Sequence, residues 1–114
     1  ARELVTRAER LGDTAVVVQA LDGYDASQLK SLAGALVSIP GHAVALISTS
    51  APIVAVVARS RDVTIDASTI LQALTTRFGG RGGGKPDLAQ GGGLTGSRAE
   101  MLELARQQLR AALT

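Results

Sequence analysis

Arg81 and Lys85 stand in a passage that ordinary core-building does not explain: Gly79-Gly80-Arg81-Gly82-Gly83-Gly84-Lys85-Pro86-Asp87-Leu88-Ala89-Gln90-Gly91-Gly92-Gly93. Eight of the thirteen glycines fall in these fifteen residues. Each glycine costs roughly 0.5–1 kcal/mol relative to alanine in a regular element, so the cluster implies a use for bare backbone. Such backbone approaches a partner closely and turns successive N–H groups toward an anion. Two cations rising from it point to contact with phosphate oxygens. Arg77 and Arg98 bracket the passage and Asp87 is the only acid from 67 to 99, which makes a local electropositive patch. The alternative is a tight, irregular connection between two helices, with positive φ angles and close packing on a sheet.

Two nucleotide motifs come close here and fail. Gly79-x4-Gly84-Lys85 fits the start of a P-loop, but Pro86 stands where the magnesium-holding hydroxyl belongs, and the passage follows a helix rather than a strand. Gly91-x-Gly93-x-x-Gly96 fits a dinucleotide fingerprint, yet no second strand and no acid about 20 residues later follow. No cofactor is therefore expected.

The rest of the chain offers little catalytic chemistry. It has no cysteine, hence no thiol or zinc-thiolate site, and its single His42 excludes a multi-histidine metal site. His42 follows Pro40-Gly41 at a strand entrance, where a surface or capping role is expected. Asp22 and Asp25 flank Gly23-Tyr24 as turn residues, and Asp87 reads as a turn cap or an arginine partner. Gln90 has the reach for a nucleotide edge or a ribose hydroxyl, or for fixing the loop backbone. One Tyr24, one Phe78 and no Trp argue against a base-stacking surface of several rings. The net charge of +2 says less than its placement. No apolar run approaches the ~20 residues of a membrane span and no signal core is present, so a soluble intracellular protein is expected.

The elements that must position the glycine passage follow from periodicity. Residues 2–11 carry an apolar stripe at Leu4, Val5, Ala8 and Leu11 and read as the tail of a helix stopped at Gly12. Thr14 to Leu21, with Val16-Val17-Val18, reads as a buried strand. Asp25 with Gln28 forms a capping box for a helix with Leu29, Leu32, Ala33, Leu36 and Val37 on one side, ended by Pro40-Gly41. His42–Ser48 and Ile53–Arg59 have the spacing of an antiparallel hairpin. Asp66 caps a helix with Ile70, Leu74 and Phe78 inward and Gly79 at its end. The glycine passage runs as a loop to about Gly96, with a short strand at Asp87–Gln90. Ser97 and Glu100 then open a last helix with Leu102, Ala105, Leu109 and Leu113 on one face. The order (helix, strand, helix, hairpin, helix, glycine loop, helix) predicts a small single α/β domain, a mixed β-sheet covered by helices.

Residues 79–93 closely resemble the glycine-rich signature at the C-terminus of alanyl-tRNA synthetases, a signature type shared by the wider DHH-associated domain family. The likeness covers both cations, the Pro86-Asp87 step and both glycine triplets; more loosely it spans 14–113, including Leu29-Lys30-Ser31-Leu32-Ala33. It implies a division into residues 1–12, the end of a linker helix, and residues 13–114, a DHH-associated nucleic-acid-binding domain. It further implies a non-catalytic, cytoplasmic module that binds the tRNA elbow, alanine tRNA being the expected partner. In the parent synthetase such a module joins aminoacylation to editing. Arg81, Lys85 and Gly80, Gly82, Gly83, Gly84, Gly91, Gly92 and Gly93 would then lie on or support the RNA-facing surface, with Arg77 and Gln90 as further contacts. Arg59 to Asp66 lacks the lysine-containing stretch expected of relatives, and no Asp-His-His motif or His/Cys editing cluster occurs. Two other readings are the oligonucleotide-holding domain of a DHH-type phosphodiesterase and a dimerisation domain acting through the last helix.

Overall fold

A computed structural model of the chain describes residues 9–11, 14–49 and 53–113. Among these residues six strands form one mixed sheet: β1 (Glu9–Leu11), β2 (Thr14–Leu21), β3 (His42–Ser48), β4 (Ile53–Arg59), β5 (Arg81–Gly84) and β6 (Leu88–Leu94), in the order β1-β2-β3-β4-β6-β5. Among the described residues three helices accompany it: α1 (Ala26–Val37), α2 (Ala67–Phe78) and α3 (Arg98–Leu113). Only β2 and β3 are parallel, with α1 as their crossover; every other neighbouring pair is antiparallel.

Alternation along the strands splits the core between two faces. Val17, Val44, Leu46, Val56 and Ala58 meet Leu29, Ala33 and Leu36 of α1. Ala43, Ala45, Ile47, Ala55 and Val57 turn the other way, toward Ile70, Leu71 and Leu74 of α2 and Met101, Ala105 and Leu109 of α3. Because β3 and β4 are buried on both faces, they read as unbroken apolar runs rather than alternating ones.

The helix starts agree with their local signals. The Asp25 carboxylate accepts from the Gln28 amide at 2.8 Å, and the Gln28 side chain accepts from the Asp25 amide at 3.0 Å. The Asp66 carboxylate accepts from the Ser68 amide and hydroxyl at 3.0 and 2.6 Å. At α3 one half of the expected box is present, the Glu100 amide donating to Ser97 Oγ at 3.4 Å.

Four expectations need correction. Glu9–Leu11, read as the end of a helix, is a strand antiparallel to β2, while residues 1–8 and 12–13 lie outside the described residues. The glycine passage is no loop: Arg81–Gly84 and Leu88–Leu94 make a hairpin that extends the sheet through β4. The inner face of α3 centres on Met101, Ala105 and Leu109, with Leu102 and Leu113 at its margin. His42 is buried rather than on the surface.

Candidate nucleic-acid interface

The glycine hairpin is shaped by steric demand as much as by hydrogen bonding. A Cβ on Gly82 would lie 2.5 Å from the Gln90 carbonyl oxygen and closer still to the Gly91 Cα. On Gly80, whose φ is +89°, it would collide with the carbonyl oxygen of Gly92. The two strands therefore approach at a distance that excludes side chains at these positions. Gly83, by contrast, has open space where its Cβ would stand.

The body of the domain holds both ends of this hairpin. At the turn, the Lys85 amide donates to the Leu88 carbonyl at 3.0 Å. The carbonyl of Pro86 accepts from the first amide of α2, at Ala67, at 2.8 Å, and that of Asp87 accepts from the Arg59 amide at 3.0 Å. At the open end, Gly79 caps α2 with φ +80° and the Thr95 amide donates to the Phe78 carbonyl at 2.9 Å. The backbone of the turn is thus fixed while the side chains of Lys85 and Asp87 are exposed.

Register assigns the faces. Gly83 lies opposite Gln90 and Arg81 opposite Gly92, while Gln90 in turn lies opposite Val56, whose side chain belongs to the α1 face. Arg81 and Gly83 share one parity along β5 and so one face, and Lys85 follows at the turn. On that same side a groove of about 350 Å³ runs between the hairpin and α1, with Gly83, Lys85 and Gln90 in its lining. Gln90 carries a buried Oε1 without a hydrogen-bond partner among the described residues.

Other predicted residues are placed elsewhere or occupied. Arg77 sits in the last turn of α2, on the opposite face, with its guanidinium carbon 5.6 Å from the centre of the Phe78 ring. Arg98 donates to the Thr49 carbonyl at 3.0 Å, beyond the open end of the hairpin. Arg59, which ends β4, donates through Nε to the Ile65 carbonyl at 2.6 Å. Tyr24 is exposed in the turn before α1. Lys30 of α1 lines the groove and was not among the residues singled out from sequence. A lone lysine on the outer side of an amphipathic helix reads as a solvated charge, so nothing local flags it.

His42 has structural partners. Its amide donates to Ser60 Oγ at 3.0 Å, Ser60 Oγ donates to Asp62 Oδ1 at 2.6 Å, and the Gly41 amide donates to that same oxygen at 3.0 Å. These bonds tie the start of β3 to the exit of β4. The Ser60 hydroxyl, with the Gly41 amide beside it, holds the Asp62 carboxyl below its ordinary range. The imidazole Nδ1 lies 3.2 Å from the Pro40 carbonyl. Among the described residues no group of three or more His, Cys, Asp or Glu is arranged to hold a metal ion.

Comparison with known proteins adds three findings. Residues 13–111 match the family model of the DHHA1 domain. The alanine–tRNA ligase of Thermosynechococcus vestitus is 34% identical over 114 residues, covering 94% of this chain and 13% of that protein. Those of Acaryochloris marina and Methanoregula boonei are each 36% identical, over 97% and 92% of this chain and 14% and 11% of theirs. The chain thus spans a small fraction of the length of these relatives. In fold it is similar to the crystal structure of the C-Ala domain from Aquifex aeolicus alanyl-tRNA synthetase. The TM-score is 0.78 and the identity 24%, over 90% of this chain and 97% of that one.

Proposed function

The chain belongs to the DHHA1 domain family, and on that premise we propose that it is a non-catalytic tRNA-binding domain of an alanyl-tRNA synthetase. The observation that carries this reading is the glycine hairpin. Its backbone is closely packed and held at both ends, and it carries two exposed cations, Arg81 and Lys85, with no side chains between them. Phosphates and sugars, rather than base sequence, are the natural ligands of such a surface. The folded tRNA elbow supplies them in a fixed shape. Within the parent enzyme the domain would hold one tRNA for both aminoacylation and editing, its partners being the tRNA and the remainder of the synthetase. The cytoplasm is the location this parentage implies, and no described helix is long and apolar enough to cross a membrane.

The test is binding to folded tRNA and to an unstructured RNA of equal length, by fluorescence anisotropy across a salt series. Wild type is expected to prefer the folded molecule. The Arg81→Ala/Lys85→Ala double variant should weaken binding and lower the slope of log K against log salt by about 1.5–2. Unchanged affinity in that variant would reject the reading. Stronger binding to the unstructured strand would move the assignment to an oligonucleotide-holding domain of a phosphodiesterase.

A further inference from the structure

The chain contains two lysines, Lys30 and Lys85, and both line the groove between α1 and the glycine hairpin. They reach it from different elements, Lys30 from α1 and Lys85 from the hairpin turn. Neither makes an ion pair with another described residue. Asp87 is the one acid in the lining, so the groove keeps a net positive charge. Its remaining polar side chain is Gln90, whose Oε1 is buried and has no hydrogen-bond partner among the described residues. A buried acceptor left unpaired is costly, and most such groups in folded proteins find a partner. The terminal torsion of a glutamine is broad and two-fold, so rotation of the amide offers that oxygen to whatever occupies the groove. The floor beside it is Gly83, where no side chain intervenes.

We infer that this groove is a subsite for one nucleotide of the bound RNA. Lys30 and Lys85 hold its flanking phosphates, and Gln90 accepts a hydrogen bond from its ribose hydroxyl or base edge. The assignment rests on the tRNA-binding reading and extends it to Lys30, which comes from outside the glycine passage. Charge alone would suit any anion. The unpaired amide oxygen narrows the occupant to an anion that also carries a hydrogen-bond donor, and a ribonucleotide combines the two within a single unit.

Because only two lysines exist, amine acylation read by mass spectrometry reports on the groove directly. The folded chain is labelled with and without saturating tRNA, and labelling of the N-terminal amine serves as the internal reference. Bound tRNA should slow acylation of Lys30 and Lys85 together, several-fold relative to that reference. Protection of Lys85 with Lys30 still labelled at its free rate overturns the subsite and leaves tRNA binding standing; no tRNA binding at all overturns both. Two variants extend the test. Lys30→Ala should lower the salt slope by ~1. Gln90→Met removes the unpaired oxygen at similar volume, so its melting temperature should not fall, while tRNA affinity drops roughly three- to tenfold. Unchanged affinity in Gln90→Met overturns the role of the amide. A short single-stranded RNA and the DNA of the same sequence separate the two donors: a Gln90→Met loss confined to RNA assigns the 2′-hydroxyl, and an equal loss on both assigns the base edge.

Discussion

At the scale of single residues, adjacent glycines in β5 do different work. A methyl group on Gly82 would enter the backbone of β6, whereas one on Gly83 would meet nothing within 4 Å. Gly82→Ala is therefore expected to destabilise the domain by about 1–3 kcal/mol, as overpacking does, seen as a lower urea midpoint at constant m-value. Gly83→Ala should keep the wild-type midpoint or raise it slightly, yet weaken tRNA binding, because its methyl would stand on the groove floor. Equal behaviour of the two variants would mean that the glycines supply flexibility and nothing more specific. Arg81, Lys85 and the glycines of the hairpin stand out in the sequence by residue type alone. Lys30 does not, because only the packing of α1 brings it beside Gln90. Nor does the burial of His42, which sits where β3 meets the exit of β4 and where its amide donates to Ser60 Oγ.

Among the elements, the helix starts were read correctly because a cap is a contact within three residues. The cap of α2 also titrates. Hydrogen bonding from the Ser68 hydroxyl, then from the Thr69 and Ser68 amides, outweighs desolvation and lowers the Asp66 carboxyl below its ordinary value of 3.8. A folded-state pKa below the unfolded one adds stability that is present above the unfolded value. That stability is lost as pH falls through the folded one. Melting temperatures from pH 7 to pH 2.5 should therefore fall on the acid side. An Asp66→Asn variant, which still caps, should match wild type more closely at low pH than at neutral pH. Asp62 shifts in the same direction, so part of the acid loss remains in that variant. The glycine hairpin escaped the sequence reading for the opposite reason. Strand propensity counts glycine as a breaker, and pairing with β4, thirty or more residues away in sequence, overrides it. Glu9–Leu11 likewise has helical spacing but pairs with β2.

Across the whole molecule, element order announced an α/β domain with a mixed sheet, but not that β6 inserts between β4 and β5. The core it builds has two sides, and Leu46 and Leu74, both fully buried, lie on opposite ones. Replacing either by alanine should cost about 2–5 kcal/mol. Urea unfolding followed by circular dichroism should show one transition in each case, since β3 and β4 belong to both cores. Two separated transitions would mean that the layers unfold independently. The strand order has another consequence, for the company the protein keeps with its own copies. β5 forms one border of the sheet, and such a border is a ready template for strand-to-strand aggregation. A run of bare glycines there would invite it, and Arg81 and Lys85, set at either end, repel an identical strand. The charges assigned to gripping RNA are thus also what keeps an open sheet margin soluble.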